Sequence, residues 1–317
     1  ALAALALAVT GAAGPLFGAT SARPPTLPGA PGCPVFPRDN HWNQRVDRLP
    51  VHPRSAAIVR SIGLDRTMHA DFGSGLWEGG PIGIPFTTVG AGRRGVRVSF
   101  EYASESDRVR YPIPPRVPIE GGRRSDGDRH VIVVDRARCR LYELFAAYPE
   151  RGGARWRAGS GAVWNLRSNR LRPRGWTSAD AAGLPILPGL ARYDEVRHGR
   201  IDHALRFTAE RTRRAFVYPA RHFASDLTDP NLPAMGQRLR LKRGYRISRF
   251  PRQARVVLRA LKRYGMILAD NGSPWYVSGA PHRGWDNDQL HTLHRVPGRA
   301  FEVVDTRRLP RPGMTRP

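Results

Sequence analysis

The sequence lacks long apolar runs and the common catalytic and cofactor signatures. It contains no HExxH or paired Cys-His spacing for zinc, no Gly-rich phosphate loop and no GxSxG nucleophile elbow. The string "HTLH" at 291–294 is a single His pair, which does not make a metal site by itself. A membrane span needs about 20 apolar residues, and the apolar run at the start, "ALAALALAV", is too short. We therefore expect no cofactor, no metal and no transmembrane span in the mature chain.

The N-terminal residues and the two cysteines are typical of an exported protein. The first apolar run and the small residues up to "ATSA" resemble a signal-peptide core and cleavage site without the basic start. An exported chain with only two cysteines, Cys33 and Cys139, is expected to pair them. Such a bond closes a loop of about 106 residues and contributes roughly 4–5 kcal/mol on the loop-entropy model. The predicted organisation is a signal remnant (1–22), a Pro-rich linker (23–32), one β-rich domain (33–305) and a disordered tail (306–317).

The net charge of +26 is carried almost entirely by arginine. Lysine occurs only at Lys242 and Lys262, so 50 of the 52 basic residues are Arg, a skew that GC-rich codons produce by themselves. Clustered cations favour polyanions through counterion release, but the most basic stretch, 238–263, has few aromatic residues to stack on bases. We therefore do not expect a nucleic-acid partner. An acidic glycan or an anionic cell envelope fits export better, and a solvated surface is the simplest alternative.

Short β-branched and aromatic runs dominate the middle of the chain. Eight such runs, among them "GVRVSFEY", "HVIVVD", "CRLYELF" and "HALRFT", are bounded by Gly, Pro, Asn or Asp. They predict a mainly-β fold, an antiparallel β-sandwich or jelly roll. The strings "SAAIVRSIG", "PRQARVVLRALKRYG" and "DNDQLHTLHRV" predict a few peripheral helices.

Three segments resemble a group of secreted proteins of bacteria with GC-rich genomes. They are "GDRHVIVVDRARCRLYELF", "GSGAVWNLRSNRLRPRGWTSADAAGLPILPGL" and "LRALKRYGMILADNGSPWYVSG". The resemblance covers about residues 33–305. It implies export and a single β-rich domain, and it carries no catalytic assignment.

A proline-rich segment followed by a turn brings acidic groups to the start of a strand. In "PIPPRVPIEGGRRSDGDRHVIVVD", Glu120 precedes a Gly-Gly pair, and Asp128 precedes His130. An acid and an imidazole at a strand mouth are suited to general acid-base catalysis or to metal binding. The alternative is that Asp128 caps a turn and His130 bonds to the backbone within its strand.

Strand alternation places further polar groups. In "CRLYELF", Tyr142 and Glu143 point to opposite faces, and in "IDHALRFT" Arg206 lies opposite the face of His203. A strand with Glu and aromatic residues is typical of a sugar groove, where rings stack on pyranose faces, although any amphipathic strand alternates in this way. Arg206 is suited to bidentate binding of a carboxylate. The residues predicted to bind substrate are Tyr142, Trp164, Trp176 and Arg206.

The segment "GWTSADAAGLPILPGLARYDEV" at 175–196 is too apolar for an ordinary surface loop and too interrupted for one element. Pro185 and Pro188 stiffen it, and long ordered loops in compact domains are usually functional. We expect it either to wall a cleft that contains Asp180 or to serve only as a structural cover.

These patterns predict a secreted carbohydrate-active protein. A glycoside hydrolase would use two carboxyl groups from Glu120, Asp128, Glu143 and Asp180. A polysaccharide lyase would use His130 or Tyr142 as base, with Arg206 neutralising a uronate. The alternative is a non-catalytic glycan-binding or cell-envelope-binding module, and neither hypothesis requires a cofactor.

Overall fold

The computed structural model describes residues 23–313. Strands account for 26% and helices for 17%, so the mainly-β class is confirmed. The strands are β1 (Thr26–Leu27), β2 (Ala30–Pro34), β3 (His69–Asp71), β4 (Leu76–Trp77), β5 (Gly80–Pro81), β6 (Phe86–Val89), β7 (Arg97–Phe100), β8 (Val131–Asp135), β9 (Arg140–Phe145), β10 (Tyr148–Glu150), β11 (Arg155–Ala158), β12 (Ser160–Asn165), β13 (Leu205–Ala209), β14 (Arg238–Leu241), β15 (Met266–Asn271), β16 (Tyr276–Ser278) and β17 (Phe301–Val303). The helices are α1 (Ser55–Ile62), α2 (Tyr193–Arg197), α3 (Arg252–Arg263) and α4 (Asn287–His291).

Two larger sheets contain the strands that position the site. Their strand orders are β12-β9-β8-β6 and β17-β14-β15-β13-β16-β3. Both sheets are mixed, because the pairs β6/β8, β13/β15 and β16/β3 are parallel. Parallel neighbours need a long crossover connection, and such connections are present here between β6 and β8 and between β13 and β15. The prediction of antiparallel sheets is therefore correct for only some of the pairs of neighbouring strands.

The helices cover one face of the six-stranded sheet. Leu205 and Phe207 of β13 point into a core that also contains Val257 and Leu261 of α3, and full burial of each such side chain contributes about 1.5–3 kcal/mol. Gly265 follows α3 with a φ of 68°, and a Cβ there would lie 2.1 Å from the carbonyl oxygen of Leu239. The opposite face of β13 carries Arg206.

Residues 175–196, here called the central segment, lie between the two larger sheets. The backbone N–H groups of Ile186 and Leu187 donate to the Glu143 carboxylate of β9. Further along, Ala182 N–H donates to the carbonyl of Ala269 in β15, and Ala191 N–H donates to that of Ser278 in β16. Because its apolar residues 184–190 are all buried, the segment is an internal layer rather than a surface loop.

The ends of the described chain differ from the sequence prediction. Cys33 and Cys139 form the predicted disulfide. Within the expected linker, β1 and β2 form a short hairpin with Leu27 and Ala30 buried, because these two apolar side chains pack on the core. The expected tail also contacts the domain, since the carbonyl of residue 312 accepts a hydrogen bond from a tyrosine hydroxyl. The predicted signal remnant (1–22) and residues 314–317 lie outside the described residues.

None of the helices between residues 23 and 313 is long and apolar enough to cross a membrane.

The basic strand β14 is internal. Arg238 donates to the carbonyls of His41, Gln44 and Tyr264, and Arg240 is also buried and bonded to backbone carbonyls. The alternating arginines therefore satisfy carbonyl groups inside the fold. Arg238 and Arg240 therefore do not give this strand a cationic outer face.

Candidate active site

A cleft of about 420 Å³ opens where the central segment meets strand ends from both larger sheets. Three aspartates line it: Asp128 from the loop before β8, Asp180 from the central segment and Asp270 from β15. We call this the carboxyl cleft. The cluster of acidic groups is notable in a chain with a net charge of +26.

Arg206 forms the floor beneath the aspartates. Its Nε and Nη2 donate to Asp180 at 2.9 and 2.8 Å, and Nη2 also reaches Asp270 at 2.9 Å. Its Nη1 donates to the hydroxyl of Ser278 at 2.6 Å. Arg206 is only 4% exposed. The predicted bidentate fork is present, but its partner is a carboxylate of the protein, so Arg206 is not placed to clamp a substrate.

A β-bulge turns Asp270 toward Arg206. Arg206 pairs with Ile267 across β13 and β15, whereas after the register shift Thr208 pairs with Asp270. Regular alternation from Ile267 would put Asp270 on the opposite face, so the extra residue brings its carboxyl to the face of Arg206. Burial and then repulsion from Asp180 raise the pKa of Asp270 to about 8. Asp270 therefore keeps a proton at neutral pH and shares a hydrogen bond with Asp180.

Glu120 and His130 form an ion pair beside this floor. Glu120 Oε2 lies 2.5 Å from His130 Nδ1, and His130 Nε2 lies 2.9 Å from the carbonyl oxygen of Ala179. A carbonyl can only accept, so Nε2 carries a hydrogen. Burial lowers the pKa of His130, but the Glu120 carboxylate outweighs burial, and the pKa rises to about 9. Both ring nitrogens therefore donate at neutral pH, and the predicted general base at His130 has no lone pair to accept a proton.

Replacing Glu120 by Gln tests this ion pair through the pH dependence of stability. The raised pKa of His130 means that the folded protein binds this proton more tightly than the unfolded chain. The stabilisation, on the order of 3 kcal/mol, is complete below about pH 6.5 and is lost as the pH rises toward 9. Glu120→Gln removes the carboxylate, so the free energy of unfolding should fall less over that range.

The measurement is urea unfolding of both proteins at several values between pH 6 and 9. Other groups that titrate in this range are present in both proteins, so the difference between the two curves isolates His130. Glu78→Gln, at an exposed position, should behave as wild type. Parallel curves for wild type and Glu120→Gln would contradict the assignment of a charged His130.

Arg129 fixes the loop at 120–128 that carries the acidic groups. Its guanidinium donates to the backbone carbonyls of Arg123, Ser125 and Ala147 at 3.0, 2.7 and 3.2 Å. The backbone of Arg129 has a φ of 52°, which is uncommon for a residue other than glycine. The loop is thus tied to the turn after β9, and its side chains are held in place.

Asp128 is the exposed carboxylate of the cleft. Within residues 23–313 its side chain has no hydrogen-bond or ion-pair partner. Asp71, at the end of β3, is near enough for its pKa to be raised by partial desolvation and by repulsion from Glu120 and Asp128. Glu120, Asp128 and His130 offer ligand atoms within 4.8 Å of one another. A cation at this set would have to displace a proton from the His130 ring, which opposes metal binding at neutral pH.

Glu143 anchors the central segment and does not line the cleft. Its carboxylate accepts the N–H of Ile186 at 3.0 Å and that of Leu187 at 2.9 Å. Burial raises its pKa to about 7, and the two amide donors oppose that shift. The face of β9 that we expect to be open to sugar is covered by the central segment, so Glu143 is structural and the prediction of a catalytic role is corrected.

A substitution series at Glu143 separates anchoring from catalysis. Glu143→Leu should cost about 2–5 kcal/mol of unfolding free energy, because two buried N–H groups lose their acceptor at about 1–3 kcal/mol each. Glu143→Gln keeps one acceptor oxygen and should cost about half as much. Urea unfolding measures both variants. An active-site role would instead appear as a Glu143→Gln protein of normal stability that has lost its activity.

A second cavity, of about 560 Å³, adjoins the carboxyl cleft. Trp164 and Trp176 line it, and the Arg172 guanidinium lies 5.6 and 5.5 Å from their ring centres. Arg172 also donates to the carbonyls of Thr177 and Glu105, which line the carboxyl cleft. Arg172 therefore forms the wall between the two, and we call the second space the indole cavity.

Tyr142 lines neither cavity, although its neighbours Arg140 and Val163 line the indole cavity. It lies on the face of β9 opposite Glu143 and packs in a core against Tyr111, with ring centres 5.6 Å apart. The predicted stacking of Tyr142 on a sugar is therefore corrected, because this face is buried.

The structure brings five predicted residues together and adds two that we did not predict. The five are Glu120, Asp128, His130, Asp180 and Arg206. Asp71 and Asp270 were missed, although each is a polar residue at or near the end of a strand, which is the available signal. No known protein family matches this chain, and neither a curated protein nor a solved structure is similar to it. The functional assignment therefore depends on the geometry of the site.

Proposed function

We propose that this protein is an exported hydrolase that cleaves glycosidic bonds in a polysaccharide. One arrangement carries the proposal: Asp270, a carboxyl group whose pKa is raised by burial and by Asp180, shares a cleft with an exposed carboxylate, Asp128. Most glycoside hydrolases need such a pair, one acid and one carboxylate, on the two sides of the scissile bond. When their surroundings give two carboxyl groups different pKa values, the group with the higher pKa can act as the acid and the other as the base.

In the proposed reaction Asp270 gives its proton to the glycosidic oxygen as the bond to the leaving sugar breaks. Asp128 takes a proton from the attacking water, whose oxygen forms the new bond to the sugar carbon. Arg206, which already contacts Asp270, stabilises the carboxylate left on that residue. Asp180 holds the Asp270 proton before the reaction. General acid-base catalysis of this kind contributes about 10²–10⁴-fold in rate.

The indole cavity supports a polysaccharide rather than a small substrate. Trp176, which is half-buried, provides apolar ring surface next to the carboxyl cleft, and sugar faces stack on such rings. Trp164 is only 5% exposed and packs in the core, so its predicted stacking on a sugar is corrected. Arg140 and Arg170 line the same cavity and favour an acidic glycan. The two spaces lie one side chain apart, on either side of Arg172.

The proposal includes architecture and location. We propose that the two larger sheets and the central segment between them form a β-sandwich. The disulfide supports an oxidising compartment outside the cytoplasm, and the signal-like start of the sequence agrees with it.

A lyase is less consistent with this geometry. The His130 ring donates from both nitrogens, and Tyr142 is buried on the other side of β9. Neither can serve as the base that removes a proton from a uronate. A non-catalytic glycan-binding module does not account for the protonated Asp270, although it accounts equally well for Trp176.

The test is incubation of the purified protein with a panel of neutral and uronate-containing polysaccharides. We expect new reducing ends without the absorbance of unsaturated uronates. Absorbance would identify a lyase and overturn the proposal. Binding to a glycan without new reducing ends would identify a binding module and also overturn it.

A further inference from the structure

Three histidines meet at the edge of the six-stranded sheet, outside the carboxyl cleft. His69 lies in the edge strand β3, His291 ends α4, and His294 lies in the turn that follows. His69 Nδ1 is 2.7 Å from His294 Nε2. The ring centres of His291 and His294 are 4.3 Å apart. The "HTLH" pair of the sequence thus gains a third imidazole from a distant part of the chain.

The chemistry and exposure of the three rings suit a ligand that arrives from solvent. His69 and His294 are half-buried, and His291 is exposed. Imidazole nitrogen is a common ligand of transition metals, and it suits zinc, copper and nickel.

We propose that His69, His291 and His294 bind a divalent transition metal of the zinc type. One of the two facing nitrogens now donates its hydrogen to the other. On metal binding the donor ring takes its other tautomer, with the hydrogen on its far nitrogen, so both facing nitrogens present lone pairs to the metal. Zn–N bonds of about 2.0–2.1 Å in tetrahedral geometry place two ligand nitrogens about 3.3 Å apart, so His69 and His294 need to separate by only about 0.6 Å. His291 is exposed. Its ring has to turn toward the other two to supply the third ligand, because the three histidines do not bring ligand atoms within 4.8 Å of one another in this structure.

The surroundings hold the first ligand in place. Tyr276 stacks on His69 with ring centres 4.2 Å apart, and the two residues pair between β16 and β3. His291 and His294 are spaced i, i+3 and therefore lie on one side of the helix and its following turn. Metal binding would tie α4 to the edge strand and so stabilise the folded protein.

The test is titration of the full chain, without a polyhistidine tag, with ZnCl₂ by calorimetry, and with CoCl₂ by visible absorbance. We expect one site per chain and a tetrahedral Co²⁺ spectrum. His69→Gln, His291→Gln and His294→Gln should each weaken Zn²⁺ binding about tenfold or more. His198→Gln, an exposed histidine bonded to its own helix, should bind as wild type.

Melting curves without metal show whether each variant folds, and His291→Gln is the safest because its side chain is exposed. Zinc should raise the melting temperature of the wild type and of His198→Gln only. Equal Zn²⁺ affinity in wild type and all three cluster variants would overturn the proposal, as would no binding at millimolar Zn²⁺.

Discussion

Asp270→Asn is expected to lower hydrolysis of the substrate glycan by about 10²–10⁴-fold and to leave the fold intact. Asparagine has the same shape and keeps an amide hydrogen for Asp180, but it has no acidic proton to give to the leaving sugar. Asp128→Asn should cause a loss of similar size, because it removes the carboxylate that activates water. Activity is measured as reducing ends released per folded protein.

The pH profile identifies the acid. The raised pKa of Asp270 predicts that wild-type activity falls as the pH rises past about 8, since the acid must be protonated to act. The residual activity of Asp270→Asn should lack this alkaline fall. Asp126→Asn is the matched control, since Asp126 is exposed in the same loop as Asp128. If Asp270→Asn retained wild-type activity, the assigned acid would be wrong.

Arg206→Met is expected to cost about 3–5 kcal/mol of unfolding free energy, because it leaves the buried Asp180 carboxylate without its cation. The Asp180 side chain is 0% exposed and receives two guanidinium N–H groups. The loss should be smaller at acid pH. Without Arg206 the folded state raises the carboxyl pKa, so protonation stabilises the variant as the pH falls. Urea unfolding at pH 5 and pH 8 measures both effects.

A surface arginine provides the control for this prediction. Arg138→Met breaks an ion pair with Asp135 in which the Arg138 side chain is 67% exposed, and such pairs contribute about 0–1 kcal/mol. In Arg206→Met/Asp180→Asn, the neutral amide removes the carboxylate that Arg206→Met leaves unpaired, so the double variant should lose less than the sum of the two single losses. Similar losses for Arg206→Met and Arg138→Met would contradict the proposed floor of the cleft.

Sequence patterns predicted many of the site residues, but they could not show which other residues cover each face of a strand. Alternation separated Tyr142 from Glu143 correctly, since one packs on Tyr111 and the other on the central segment. Whether either face was open to solvent depended on residues more than 30 positions away. Alternation also assigned Arg206 to the face opposite His203. Its partner Asp180 could not be identified without the fold.

Asp270 shows a different limit. Strict alternation along "MILAD" assigns it to the face opposite Ile267, and only the bulge in the pairing of β13 with β15 reverses that assignment. A bulge depends on the partner strand, so it leaves no signal in the strand itself. Local sequence patterns also cannot predict that β13 and β15 pair in parallel, because this pairing depends on the long crossover through β14 and α3.

The most direct test of the central claim is the titration of the cleft aspartates by carbon NMR with labelled aspartate, which needs no substrate. Asp270→Asn and Asp128→Asn identify the two carboxyl resonances. We predict that the Asp270 resonance is that of a protonated carboxyl group at pH 7. If the Asp270 resonance showed an ionised carboxylate at pH 5, Asp270 could not be the acid at neutral pH and the proposed hydrolysis would be contradicted.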